Sequence, residues 1–373
     1  MSEPRIAIIA PYLSTPSTRD PKARVGGVER YVTELAKALV AIGKDVTLIT
    51  PSMESGGTGI GEVPILRIKR VAIIQGSPIF NPAALLRAIR GFDLVHAQGT
   101  YPLISELNPL LARIRGIPSV VTYHFEPTPT APLGKIAGRI YESTMARMVR
   151  WNDRIILSTK SYRENTRLLR NVSDEKTRYI PMGVDTKFFA PDPGSTREKR
   201  FLFVGRLVPY KDIPLLLKAM AIVNRTLQSH ELNIVGTGEL EDTLKKEAAG
   251  SGANVRFLGR VDDAELLKLY QTSAATVLPS HDHQEAFGMT LVESMSCGTP
   301  VVAARIPGVM DVASIGGKVV EAGSAVALAE AMIDATRTDL TPTQKQSLHS
   351  RIDEMFSWKS IATRTSAVYE ELL

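Results

Sequence analysis

Short runs rich in Ile, Val and Leu recur along the chain, separated by longer stretches in which apolar residues return every three to four positions. The first pattern belongs to strands buried on both faces and the second to amphipathic helices, so their alternation predicts βαβ units stacked around parallel sheets. Strands are predicted at Arg5 to Ala10, Asp45 to Thr50, Leu94 to Ala97, Ser119 to Tyr123 and Arg154 to Ser158. The series then restarts at Phe201 to Val204, Glu231 to Val235, Val255 to Leu258, Ala275 to Leu278 and Val301 to Ala304. Between the two series, Pro181-Met182-Gly183-Val184-Asp185 and Pro191-Asp192-Pro193-Gly194-Ser195 are dense in turn residues and predict a linker, with a boundary near residue 187. The pattern therefore predicts an α/β chain of two tandem doubly wound domains, residues 1–187 and 188–360. Such sheets bind ligands at the carboxyl ends of their strands, so the chemistry is expected there, in a cleft that the two domains face. Leu13 to Arg24, rich in Pro, Ser and Thr, reads as a long loop after the first strand, and Gly56 to Gly61 and Gly76 to Leu86 as loops without a signature.

Composition agrees with two globular domains: 373 residues, 44% hydrophobic and 23% charged. The single cysteine, Cys297, cannot form an internal disulfide, which suits a reducing compartment and excludes a zinc site built of cysteines. The chain enters its first strand without the basic segment and longer apolar stretch of a signal peptide, and no apolar run approaches the roughly 20 residues of a spanning helix. A cytoplasmic protein is expected, with any membrane contact peripheral, on the inner face of the cell membrane. Residues 1–184 hold 25 Lys and Arg against 15 Asp and Glu, whereas the remainder holds 20 against 24. The basic half suits a phosphate-bearing acceptor, an anionic lipid surface or nucleic acid, and equally a merely solvated face. No nucleic-acid-reading module is present, so nucleic acid is not an expected partner. Leu133, Ile136, Ala137, Ile140, Tyr141, Met145, Met148 and Val149 form a helical stripe flanked by Lys135, Arg139, Arg147 and Arg150. That stripe fits a helix docked on anionic lipid, and it fits a helix packed on its own domain.

Three constellations carry chemistry. In Glu285-Ala-Phe-Gly-Met-Thr-Leu-Val-Glu293, which follows a strand and leads to Gly298 and Pro300, eight helical steps would set the carboxylates roughly 12 Å apart on a similar side. A helix N-terminus between two carboxylates offers N–H groups to phosphates and acceptors to hydroxyls at either end; the plain alternative is an amphipathic helix with two solvated glutamates. In Phe201-Leu-Phe-Val-Gly-Arg-Leu-Val-Pro-Tyr-Lys-Asp212, a buried strand runs into the Gly205 turn and presents Arg206 and Lys211. Two cations there suit a diphosphate whose charge grows as it leaves, or are surface charges without a role. Gly26-Gly27-Val28-Glu29 opens a helix reaching about Ile42, where paired glycines admit close backbone approach to a phosphate or sugar, or simply start a helix.

Taken together, in this order and over almost the whole chain, these motifs resemble the retaining glycosyltransferases of family 4, whose two Rossmann-like domains form the GT-B fold. The resemblance implies a nucleotide-sugar donor bound by the second domain and an acceptor bound by the first, with the final helix, about 361–373, crossing back to brace the first domain. It places Gly26 and Gly27 by the donor diphosphate, Arg206 and Lys211 on that diphosphate, Glu285 on the donor sugar and Glu293 on the ribose. The backbone of Phe287, Gly288, Met289, Thr290 and Leu291 runs along the donor in this reading. Gly205 and the segments holding Gly236 and Arg260 complete the donor side, the latter two by the base. His124, in Val120-Val-Thr-Tyr-His-Phe-Glu126, matches a position where many relatives keep a histidine facing the reacting sugar, with a satisfied loop histidine as the alternative. His96 reads as structural or acceptor-side. The implied reaction moves a hexose, glucose or mannose, from a UDP- or GDP-sugar to a glycan, lipid-linked or small-molecule acceptor with retention of configuration. No cofactor and no metal is implied: Asp-x-Asp is absent, and His281-Asp282-His283 lies in a polar loop. A dinucleotide-dependent dehydrogenase is disfavoured because Gly236-Thr237-Gly238 lacks the third glycine of that fingerprint, and a phosphorylase because no lysine has the context for a pyridoxal cofactor. A nucleotide-sugar-binding scaffold at the membrane surface, without catalysis, is the non-enzyme alternative.

Overall fold

Runs such as Ile6-Ala7-Ile8-Ile9 and Phe201-Leu202-Phe203 can be satisfied only with both strand faces covered, and they stand at the centres of two separate sheets. The computed structural model describes residues 3–11, 13, 27–52, 56–74, 77–99, 104–124, 147–166, 169, 171–282, 284–337 and 339–373. Gly26, most of the long loop after the first strand, and the stripe from Leu133 to Met145 lie outside the described residues. The chain divides into two compact units, Met1–Gly183 with Trp358–Leu373, and Val184–Ser357.

Among the described residues, the first unit holds nine strands: β1 Arg5–Ile9, β2 Asp45–Ser52, β3 Gly56–Ile60, β4 Val63–Ile74, β5 Ser77–Phe80, β6 Leu94–Gln98, β7 Ser119–Tyr123, β8 Arg154–Leu157 and β9 Thr177–Tyr179. Their order is β3-β4-β2-β1-β6-β7-β8-β9, with β5 on β4. Pairings are parallel except those of β3 and β5 with β4. Two segments expected to be loops are thus corrected: Gly56–Ile60 is an edge strand, and Gly76 to Leu86 holds β5 and the start of the helix Pro82–Ala88. An antiparallel strand as glycine-rich as β3, or as short and proline-bearing as β5, lacks the apolar run by which buried parallel strands are recognised.

The core of this unit draws on both ends of the chain. Tyr31, Val32, Leu35 and Leu39 of the helix Gly27–Ala41 pack with Ile361, Ala362, Val368 and Tyr369 of the last helix, Trp358–Glu370. The last helix therefore returns to the first unit. Gly183 admits it, since a Cβ there would lie 2.5 Å from the Trp358 ring. Glu371 fastens the end by salt bridges to Arg154 (2.8 Å) and Arg178 (2.6 Å) on β8 and β9. Principally the Arg178 hydrogen bond, aided by Arg154, holds the Glu371 carboxyl down at about 2.

The second unit is a six-stranded parallel sheet of β10 Arg200–Val204, β11 Glu231–Val235, β12 Val255–Gly259, β13 Ala275–Leu278, β14 Val301–Ala304 and β15 Gly317–Val320, ordered β12-β11-β10-β13-β14-β15. The helices Ile213–Thr226, Met289–Ser296 and Ala325–Arg337 bury Leu216, Met220, Val292, Met295, Leu328 and Met332. Among the described residues, no helix is long and apolar enough to cross a membrane.

Candidate functional site

The strand order of the second unit reverses between β10 and β13, so the loops leaving these two neighbours turn to opposite sides of the sheet and open a crevice at its carboxyl edge. Those two loops carry Arg206, Lys211 and Glu285. The β10 loop is set by backbone packing on the β11 loop. Gly236 (φ 126°) lies against the Gly205 carbonyl, which a Cβ would approach to 1.9 Å, and a Cβ on Gly238 would lie 2.3 Å from the Leu207 carbonyl. Leu207 N–H donates to Thr237 O (3.1 Å) and Leu240 N–H to Leu207 O (3.1 Å). The Lys211 stem then passes over Gly205, where a Cβ would come within 3.4 Å of Lys211 Cε.

Lys211 ends the short 3-10 turn Pro209–Lys211, and the left-handed Asp212 (φ 48°) starts the next helix. The turn is tied to the β13 loop: His281 N–H donates to Tyr210 O (3.1 Å), and His281 Nδ1 lies 3.5 Å from Asp212 Oδ2. In this frame Lys211 Nζ forms an ion pair with Glu285, with side chains only 9% and 12% exposed, and Ser280 Oγ donates to the same carboxylate oxygen at 3.5 Å. Lys211 and Glu285, assigned above to different parts of a ligand, thus contact one another. Arg206 is exposed, its Nη2 donating to Tyr210 Oη at 3.2 Å. One buried ammonium and one exposed guanidinium on the same loop can neutralise an anion at this edge.

The helical spacing expected for Glu285 and Glu293 is corrected. The helix begins at Met289, after Gly288 at φ 82°, so Glu285 lies in the preceding loop and only Glu293 is helical. The helix closes as expected, through Cys297 and the positive-φ Gly298. Glu293 is buried and accepts a 2.8 Å hydrogen bond from Tyr270 Oη. Phe287 and Leu291 turn their side chains into the core, Phe287 meeting Phe356 edge-on at 5.9 Å, while Met289 and Thr290 are half-buried. Arg260 is exposed just beyond β12.

The first unit has its own reversal, between β1 and β6, and beside it a buried polar network. Gly27 is the exposed first residue of its helix. His124, directly after β7, is buried, pairs through Nε2 with Gln98 Oε1 (3.1 Å) and meets the Tyr31 ring edge-on at 4.9 Å. Burial pushes its pKa down to about 3, so it is neutral at physiological pH. His96 is likewise held down at about 3 by burial and by the neighbouring His124. It contacts Tyr369 Oη and Thr122 Oγ1, both at 2.7 Å. The sequence reading passed over Gln98, Tyr270 and Tyr369. The alternation His96-Ala97-Gln98 within an apolar strand, placing two polar groups on one face, is the signal for the first. Among the described residues, no group of three or more His, Cys, Asp or Glu is placed to hold a metal ion.

The chain is similar to known glycosyltransferases along its length. Residues 185–348 match the family described as glycosyl transferases group 1, and residues 25–188 match glycosyltransferase family 4. A phosphatidyl-myo-inositol mannosyltransferase of Mycobacterium leprae is 29% identical over 98% of this chain and 96% of its own. The D-rhamnosyltransferase WbpZ of Pseudomonas aeruginosa is 30% identical over 76% of this chain and 74% of its own. The crystal structure of Anabaena HepE in complex with UDP superposes with a TM-score of 0.76 at 18% identity, covering 99% of this chain and all of that one, a likeness of fold. By these matches to its two halves and along its length, the chain belongs to the family 4 glycosyltransferases and is a glycosyltransferase of GT-B architecture.

Proposed function

We propose that this protein is a retaining hexosyltransferase that takes glucose or mannose from a UDP- or GDP-sugar, without a metal ion, and passes it to a glycan, lipid-linked or small-molecule acceptor. The observation that carries the reading is the Lys211–Glu285 ion pair at the β10/β13 reversal, with Arg206 beside it. In the free protein each charge is satisfied by the other. An arriving diphosphate competes for the ammonium, recruits Arg206 and leaves Glu285 to accept hydrogen bonds from the sugar hydroxyls. Glu293, held by Tyr270, is assigned to the ribose hydroxyls. The mannosyltransferase names among the relatives favour mannose as the sugar.

In the reaction proposed, the bond from the anomeric carbon to the diphosphate oxygen lengthens through an oxocarbenium-like state while both cations take up the charge developing on the leaving group. The acceptor oxygen bonds to the anomeric carbon on the face the diphosphate leaves, and its proton passes to the departing phosphate oxygen. His124, neutral because it is buried, serves as a hydrogen-bond partner for a hydroxyl rather than as an acid.

The test is a thermal-shift panel of nucleotides and nucleotide sugars, followed by hydrolysis assays with the binders, with and without a chelator. A ligand at 100 times its Kd stabilises the folded state by about 2.7 kcal/mol. Stabilisation by one nucleoside diphosphate, with chelator-resistant slow hydrolysis of its sugar, is expected. Binding without turnover would instead indicate a non-catalytic scaffold, and binding of no nucleotide would overturn the reading.

A further inference from the structure

We propose that Gln98 and Tyr369 are positioning residues for His124: Gln98 holds its imidazole in the tautomer protonated at Nε2, and Tyr369 fixes the Gln98 amide through His96. The proposal rests on the reading of His124 as the group that meets a substrate hydroxyl.

Gln98 is completely buried in a strand whose other residues, His96 apart, are apolar, and there an amide survives only if both its ends are satisfied. Its two ends are not interchangeable, since the carbonyl oxygen only accepts and the NH2 only donates. The oxygen lies 3.1 Å from His124 Nε2, so that nitrogen carries the proton and the lone pair is left at Nδ1. The NH2 faces the other way, 3.0 Å from His96 Nε2 and 3.4 Å from His96 Nδ1. In the proposed arrangement the nearer nitrogen, Nε2, which Thr122 Oγ1 also meets at 2.7 Å, accepts, and the His96 proton sits on Nδ1, where Tyr369 Oη accepts it at 2.7 Å. In this arrangement Tyr369, acting as the acceptor of the Nδ1 proton, favours Nε2 as the nitrogen that accepts from Gln98, and the amide orientation decides which His124 nitrogen can accept from a hydroxyl. Without the phenol oxygen, the His96 proton can move to Nε2, towards Thr122 Oγ1 at 2.7 Å, and the amide loses its reason to face one way. The relay joins residues 273 positions apart, so the last helix contributes to the His124 site as well as to the core.

Among the described residues, the groups placed against His124 are Tyr31 of the helix Gly27–Ala41 and Gln98 and His96 of β6. Burial raises the Tyr31 phenol well above its ordinary range, and none of the three supplies a charge near neutrality.

The experiment is histidine 15N–1H correlation spectroscopy on the full-length protein, with His124→Ala assigning the signals, alongside hydrolysis of the nucleotide sugar that the panel identifies. The wild type is expected to show His124 neutral and protonated at Nε2 alone, with hydrolysis unaffected by His124 titration from about pH 5.5 to 8. Tyr369→Phe, which keeps the packed ring, is expected to give His124 mixed tautomers and about a tenfold lower kcat at unchanged donor KM. Gln98→Glu sets a carboxylate against the imidazole and raises its pKa, so turnover should be lost as pH falls through about 7. Should that buried charge prevent folding, the Tyr369→Phe spectrum decides alone. A wild-type His124 protonated at Nδ1, or a Tyr369→Phe variant with His124 signals and kcat unmoved, would overturn the proposal. Wild-type turnover in His124→Ala would instead remove the reading of His124 beneath it, whatever the tautomer.

Discussion

Replacing Lys211 by Met should cost more stability than activity arguments alone anticipate, and a second substitution should return the stability without the activity. The ammonium and the Glu285 carboxylate are each about nine-tenths shielded from solvent, and Ser280 Oγ at 3.5 Å is a second donor to that carboxylate oxygen. Removing the cation leaves a carboxylate in a site too dry to solvate it, a loss of about 3–5 kcal/mol where one partner of a buried pair is deleted. For a unit of this size, about 2–4 °C per kcal/mol converts that to a fall in Tm of about 6–20 °C. Glu285→Gln alone strands the ammonium and should lose a similar amount. The double variant Lys211→Met/Glu285→Gln removes both charges, and the pair's own net contribution is small once desolvation is counted, so most of the loss should return. Donor turnover should stay absent in all three. Calorimetric scans of the four proteins give the cycle, and hydrolysis of the nucleotide sugar gives the activity. Simple addition of the two single losses in the double variant would refute the buried pair as the organiser of this edge, and turnover in Lys211→Met would refute its assignment to the diphosphate.

Arg206→Ala should behave in the opposite way: the side chain is exposed, so stability should move by no more than about 0.5 kcal/mol while kcat falls about 100-fold, and an unchanged kcat would dismiss it from the leaving-group site. Tyr270→Phe removes the 2.8 Å donor from buried Glu293 and should cost about 1–3 kcal/mol in denaturant unfolding together with weaker nucleotide binding; a loss of stability with nucleotide affinity intact would assign Glu293 to the fold alone. Glu371 has its folded pKa lowered to about 2, so the stability it adds is present above its ordinary value of 4.5 and is lost as pH falls towards 2. With the side chain about a third exposed, solvent screening limits this to about 1 kcal/mol, and Glu371→Gln should flatten that acid limb of the unfolding curve, a limb unaltered by the substitution counting against the bridge.

The apolar runs of the central strands and the periodic helices were legible because burial on both faces demands them over several consecutive residues, whatever the partner strand. The same holds for the stop signal at Gly298 and for the three motifs that resemble family 4, since each is local in sequence. Strands β3 and β5 were not legible, because an antiparallel edge needs neither a continuous apolar run nor its own core. The Glu285–Glu293 spacing misled for a related reason: a helix reading assumes that the helix starts where the motif starts, whereas the left-handed Gly288 delays it and leaves Glu285 in a loop. Once delayed, Glu285 is free to meet Lys211, 74 residues away, an encounter decided by β10 and β13 lying side by side at the reversal. Strand order also aligned Gln98 with Thr122 in adjacent strands, and the packing of the last helix brought Tyr369 to His96. Residue types and local spacing thus determined which chemistry the chain can carry. Which side chains satisfy one another was settled only by tertiary packing, because buried polar groups take whatever partners the sheet order and the returning helix bring within hydrogen-bond reach.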